Sequence, residues 1–178
     1  YGSENIKRLV SKVLKFLYSE EMIEVNDEGL TATDFGRKIS ELYIDPVSGV
    51  VIRDGLCGRA KVLTDLSFLH MICHTPDLYP KYYPRSRELK ELSAYGEVHA
   101  DEFMFNIPSN LIDQVAYEEF LGEVKASLVL DAWNNEVSED MIIERFAVEP
   151  GDLFRLVDSA RWLLHATREL CRLFKYKD

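Results

Sequence analysis

The amino-acid sequence predicts a mainly α chain with one small β-hairpin near its start and a helical bundle after it. Three observations carry that expectation. The final stretch, Pro150 to Phe174, places Leu153, Leu156, Val157, Ala160, Leu163, Leu164, Thr167, Leu170, Cys171 and Phe174 on one stripe at helical spacing. A second long run, Tyr117 to Asn134, repeats the pattern with Leu121, Val124, Leu128 and Ala132 inward. Between Met22 and Thr31 the period shortens around the turn cluster Asn26-Asp27-Glu28-Gly29, the mark of a small hairpin.

Ile6, Leu9, Val10, Val13, Leu14 and Leu17 recur at helical spacing, which predicts an amphipathic helix over Asn5 to Ser19. Met22 to Val25 and Leu30 to Thr31 are the extended arms of the hairpin. Thr31 followed three residues later by Asp34 has the form of a capping box, and Phe35, Ile39 and Leu42 give the next short helix a buried side. Helix, hairpin and helix before residue 46 make a partial winged-helix unit. Such folds carry a further helix ahead of these, so the chain is expected to be an excised fragment, truncated at Tyr1. Tyr43-Ile44-Asp45-Pro46 closes the unit, and Val47 to Arg59, with Gly49, Gly55 and Gly58, reads as a connector. A boundary near residue 55 follows, with a winged-helix-like domain over 1–55 and a helical domain over 56–178. In the second part, Val62 to Cys73 is expected to be helical and stops before Thr75-Pro76. Asp77 to Arg85, with Pro80, Pro84, Tyr79, Tyr82 and Tyr83, reads as an ordered loop before a helix over Ser86 to Val98. Pro108 marks the N-terminal edge of further helical structure, Ser138 caps a short helix ending at Phe146, and Pro150-Gly151-Asp152 opens the last helix.

With 178 residues, 47% of them hydrophobic, the chain can bury a core. No window approaches a membrane span and no signal peptide is visible at the start, which gives a cytoplasmic expectation. Cys57, Cys73 and Cys171 are an odd number at unrelated spacings and fit free thiols in a reducing compartment. The net charge of −10 speaks against a phosphate-binding partner until its distribution is read. Between Glu97 and Glu149 stand thirteen Asp or Glu against Lys125 and Arg145, a local −11 that leaves +1 for the rest. Outside that block, Arg161, Arg168, Arg172 and Lys175 form a basic row on the last helix, and Lys7, Arg8, Lys12 and Lys15 bias the first helix the same way. The alternative is that both rows are ordinary solvated helix edges.

Trp162 does not belong to the apolar stripe of the last helix but lies roughly 150° from its centre. Arg155 falls on the same outer row, about 10 Å below it along the axis. Ser159 and Ala166, both small, would leave the indole and guanidinium faces open. An open indole and an open guanidinium in one row form a stacking surface suited to nucleobases, unless another domain covers them. Trp133 reads as core or boundary. His70, Cys73 and His74 share a helix at a spacing metal sites use, yet a fourth ligand is lacking, so a packed histidine and a buried thiol are expected, with no metal. The pairs Asp101-Glu102, Glu118-Glu119 and Glu139-Asp140 read as solvated carboxylates. No phosphate-binding glycine loop, dinucleotide fingerprint or hydrolase constellation is present, so no catalytic residue and no cofactor is assigned within this chain.

Three stretches carry a resemblance. Leu30-Thr31-Ala32-Thr33-Asp34-Phe35-Gly36-Arg37, running into Ser40 to Pro46, resembles the winged-helix segment of archaeal superfamily II DNA helicases of the Ski-two-like (Hel/Hjm) type. Trp133-Asn134-Asn135-Glu136, then Glu149 to Leu153 and Ala160 to Leu164, are similar to that family's helical ratchet domain. The resemblance implies a 3′-to-5′ ATP-dependent DNA helicase acting at branched or stalled replication forks, with RecA-like motor domains ahead of this part supplying ATP and Mg chemistry. It implies that Arg155 and Trp162 stack on single-stranded DNA; Ser159 between them and Arg161, Arg168 and Arg172 of the basic row are the further nucleic-acid-binding candidates, and a monomeric protein is expected. Asn134, Phe154 and the unmatched segment Pro80 to Ile107 depart from the family pattern, and its C-terminal helix-loop-helix domain is not seen. Two other readings are a winged-helix transcription regulator with a helical dimerisation domain, and a protein-docking scaffold that uses the acidic block.

Overall fold

The structure is a computed structural model and describes residues 2–27, 29–58 and 60–176. Tyr1, Glu28 of the predicted turn cluster and Arg59 at the end of the predicted connector lie outside them. The chain is mainly α, with one antiparallel hairpin ahead of a helical bundle, as the periodicity predicts.

Helix α1 (Gly2–Ser19) leads into β1 (Ile23–Asn26) and β2 (Gly29–Ala32), with Ile23 opposite Ala32 and Asn26 opposite Gly29. Gly29 has φ 112°, which only glycine adopts without strain. Helix α2 (Asp34–Leu42) is capped by Thr33, whose hydroxyl oxygen accepts the Gly36 N–H at 3.1 Å and donates to the Glu21 carbonyl at 2.7 Å. The capping box expected at Thr31 does not form, because Thr31 is paired in the hairpin with Glu24; the N-cap is Thr33, and Gly36 three residues on has no side chain to reach back.

The predicted connector is a helix, α3 (Pro46–Leu56). Asp45 caps it by accepting the Val47 N–H at 2.7 Å, and Pro46 supplies a preset φ in the first turn. Its glycines are close-packing positions rather than breakers. A Cβ on Gly49 would stand 2.2 Å from Ile39 Cδ1, and one on Gly55 2.7 Å from the Met71 sulfur.

Helices α4 (Asp65–Cys73), α5 (Leu89–Val98), α6 (Gln114–Asn134), α7 (Glu139–Phe146) and α8 (Pro150–Phe174) complete the chain, with a 3₁₀ turn at Ala100–Glu102. Helical structure does not resume at Pro108; the chain stays irregular until Asp113, whose carboxylate caps α6 through the Ala116 N–H at 3.0 Å.

Helix α8 packs against α2, α3, α4, α6 and α7. One hydrophobic cluster joins Met22, Phe35, Ile39, Ile44 and Ile52 to Met71 and Ile72 of α4, Val129 and Leu130 of α6, and Leu153, Leu156, Leu163 and Leu170 of α8. Burial is therefore continuous across residue 55. Each fully buried leucine in it contributes about 1.5–3 kcal/mol. A second cluster, built on Leu66, Leu92, Phe103, Phe120, Leu121 and Val124, fixes α5 on α6. On α1, by contrast, Ile6, Leu9, Val10 and Val13 are exposed, and Leu17 packs against the core.

Candidate nucleic-acid interface

Helix α8 begins with Pro150 in its first turn and Asp152 beside the N-terminal N–H groups, and ends at Lys175 in the left-handed conformation. Leu153, Leu156, Val157, Ala160, Leu163, Thr167 and Leu170 are buried, as the stripe predicts. Leu164 is exposed instead of buried, and Ala166, read as part of the open row, is fully buried.

Helix α2 packs on this part of α8. The Trp162 indole N–H donates to the Leu42 carbonyl at the end of α2, at 3.0 Å. One turn and two turns further along α8 come Ala166 and Glu169, and the Lys38 ammonium of α2 lies within the field of Glu169. Its pKa is raised, chiefly by its 2.7 Å bond to Glu41 and then by the charges of Glu41 and Glu169. Helix α2 thus runs beside α8 from Leu42 at Trp162 to Phe35, whose ring lies 5.5 Å from that of Phe174, and Ala166 is buried in the cluster these helices share. Trp162 itself stands at the edge of this contact, 37% exposed.

Below Trp162, Ser159 is no open gap either. Its hydroxyl donates to the Tyr79 carbonyl at 3.1 Å, which seats the 75–84 loop on α8 between Trp162 and Arg155. That loop is held from several sides. Lys81 donates to the carbonyls of Cys73 and Thr75 at 2.9 and 2.6 Å, and the Asp77 carboxylate accepts the Asp45 N–H at 2.7 Å. Burial lowers the Lys81 pKa against the pull of Glu123. Gly122 of α6 lies directly under the Tyr82 main chain.

The Arg155 side chain is 65% exposed, with Nη1 3.7 Å from Asp152 Oδ1. Arg161 is exposed. Arg168 meets His165 Nδ1 at 3.1 Å and Glu169 at 3.5 Å, and Arg172 donates to Glu169 at 2.8 Å, so part of the predicted basic row is internally compensated. Trp133 takes the boundary position and packs edge-on against Phe154, with ring centroids 5.9 Å apart.

The other candidate cluster is a packing feature. His70 is buried between Phe103 and Phe120, with ring centroids at 4.5 and 5.3 Å, and neither ring nitrogen has a hydrogen-bond partner. Burial pushes its pKa down to about 3 and that of the buried Cys73 thiol up to about 12. His74 sits on the Glu123 carboxylate at 2.9 Å. Among the described residues, no group of three or more His, Cys, Asp or Glu is arranged to hold a metal ion, no disulfide joins the three cysteines, and no helix is long and apolar enough to cross a membrane.

Two groups that hold the surface together are invisible to sequence reasoning, the main-chain carbonyls of Leu42 and Tyr79. Backbone acceptors have no residue signature. The L-Y-I-D-P stretch and the proline-flanked Tyr79 are the nearest visible signals.

Comparison with known proteins agrees with this architecture. A family model described as archaeal helicase, domain 4, matches residues 66–178. The chain is 37% identical over 177 residues to the ATP-dependent DNA helicase Hel308 of Methanocella arvoryzae, a match that covers 97% of this chain and 24% of that protein. It is 35% identical over 168 residues to the ATP-dependent DNA helicase Hel308 of Pyrococcus horikoshii, covering 94% of this chain and 23% of that protein. It therefore spans about a quarter of the length of these curated relatives. On the family match over residues 66–178 and the helical architecture that carries it, the chain belongs to the archaeal helicase domain 4 family.

Proposed function

We propose that this chain is the accessory DNA-binding part of an ATP-dependent 3′-to-5′ DNA helicase, stacking on and guiding single-stranded DNA while branched or stalled forks are unwound. ATP and Mg belong, in this reading, to RecA-like motor domains of the same parent chain. Residues 1–55 act as a winged-helix brace and residues 56–178 as the ratchet, a functional division laid over one continuous core. The parent works as a monomer in the cytoplasm.

One observation carries the reading. An indole fixed at its N–H and a largely exposed guanidinium share one outer face of α8, seven residues apart. Flat surfaces of this kind bind successive bases without sequence preference, each stack contributing about 1–3 kcal/mol. The relatives' description as ATP-dependent DNA helicases supports the same assignment. Duplex readout by α2 is disfavoured, because Arg37 is bonded to Asp34 and the Ala32 carbonyl, and Lys38 to Glu41.

The test is a titration with unlabelled oligo-dT followed by tryptophan fluorescence. Trp162→Ala is expected to abolish most of the change and Arg155→Ala to weaken binding; an unaltered response in Trp162→Ala would refute the assignment. In the full-length helicase the same variants should slow fork unwinding.

A further inference from the structure

We propose that Tyr43 and Tyr79 extend the Arg155 and Trp162 row into a wider stacking platform that takes additional bases of the same single strand; the inference rests on the function proposed above. Neither tyrosine is on α8, but both are tied to it through main-chain carbonyls. The Leu42 carbonyl that receives the Trp162 indole N–H belongs to the peptide unit that begins Tyr43, so Tyr43 starts next to the indole. The Tyr79 carbonyl is bonded to Ser159, the residue between Arg155 and Trp162 on their shared face. The Asp45 N–H on Asp77 then joins the segment of Tyr43 to the segment of Tyr79. Two stretches of chain far apart in sequence, each carrying an exposed tyrosine, are thereby anchored by their main chains on one strip of α8.

The two rings contribute little to the fold. Tyr43 is 86% exposed and Tyr79 58% exposed, so little ring surface leaves water on folding. Tyr43 also has φ 55° and ψ 31°, the left-handed conformation that ends α2, where glycine or asparagine would serve without the strain a bulky side chain meets. A bulky exposed ring kept in a strained position, one peptide from an indole, is accounted for by a ligand that uses its face. The exposed guanidinium of Arg155, one turn from Ser159 on α8, and the exposed Arg161 make that ligand a flat, polyanionic one, a single nucleic-acid strand.

Two measurements test it on the whole chain. Oligo-dT carrying 5-iodouracil is irradiated with the wild-type protein and adducts are mapped by mass spectrometry; adducts are expected on Tyr43 and Tyr79 as well as Trp162. In parallel, Tyr43→Asn and Tyr79→Leu should each weaken oligo-dT binding roughly fivefold or more, the lower end for loss of one base stack, while Tyr43→Phe and Tyr79→Phe bind within about twofold of wild type. Adducts confined to Trp162, with both non-aromatic variants binding normally, would overturn the platform and leave the role of Trp162 standing. Normal binding by Trp162→Ala as well would overturn both. Because the crosslinks are read on the unmodified protein, a variant that folds poorly does not blunt the test.

Discussion

Gly122→Ala separates the local from the tertiary account of α6, because the two predict opposite signs. Inside a helix, alanine is favoured over glycine by about 1 kcal/mol, so propensity alone predicts a more stable protein. The Cβ added at Gly122, however, would lie 2.1 Å from the Tyr82 carbonyl oxygen and 3.2 Å from its carbon. An ordinary contact between such atoms is above 3 Å, so the Tyr82 main chain must move by about 1 Å. It cannot do so freely, since Lys81 and Asp77 hold the same loop. Overpacking against backbone costs roughly 3 kcal/mol at the upper end of the usual range, which leaves a net loss of about 2 kcal/mol after the helix gain. For a chain of this size that lowers Tm by about 4–8 °C. Gly151→Ala is the control, because nothing lies within 4 Å of its added Cβ; it should be neutral or slightly stabilising. Urea and thermal unfolding by circular dichroism read both. An increase in Tm for Gly122→Ala equal to that of Gly151→Ala would refute the seating of the loop on α6, and with it the rigid placement of Tyr79.

The buried ion pair between Lys125 and Glu88, at 2.9 Å, should behave as a unit: Lys125→Met alone is expected to cost about 3 kcal/mol in urea unfolding, and adding Glu88→Leu to recover much of it. Burial alone would raise the Glu88 carboxyl, but the Arg85 N–H and the Lys125 ammonium hold it below its ordinary value. Its contribution is therefore present above the ordinary carboxylate range and lost as pH falls through the folded-state value, and the pH profile of the double variant should lack that acid-side loss. His70 gives a second pH signature in a different window. Its pKa is lowered to about 3 by burial and, less, by His74. The folded chain thus keeps the ring neutral while the unfolded chain takes up a proton, so stability is full above about pH 6.5 and falls below it, by about 2 kcal/mol between pH 7 and pH 5. His70→Leu should flatten that slope; an unchanged slope would exclude His70 as its source.

Much of α8 is legible in the sequence. Pro150, Asp152 and the helical period fix its extent, and the same wheel puts Trp162 outside the core. What covers the outer row is not legible that way, because the end of α2 at Trp162 and Tyr79 at Ser159 arrive from residues far off in sequence and act through carbonyls. Val47 to Arg59 is misleading for a related reason. A glycine that breaks a helix and a glycine that lets Ile39 or Met71 approach look identical in sequence, and only the neighbour distinguishes them. Lys125 shows the same limit. It looks like one of two cations in an acidic stretch, yet it is buried against Glu88, which lies outside that stretch. The apolar stripe of α1 is legible as a helix but not as one left uncovered by the described residues.

The continuity of the core across residue 55 bears on how the chain acquires its structure. Phe35, Ile39 and Ile52, near its beginning, share one cluster with Leu153, Leu163 and Leu170, near its end. During synthesis the first part can pack Phe35 and Ile39 against Gly49 of α3, but its side of the shared cluster is closed only when α8 has been made. Contacts of such sequence separation slow folding and prolong the exposure of sticky intermediates. The helix that would grip a strand in the finished protein is therefore also its closing clasp, and lesions that loosen α8 should appear first as poor yield of folded chain rather than as weakened binding.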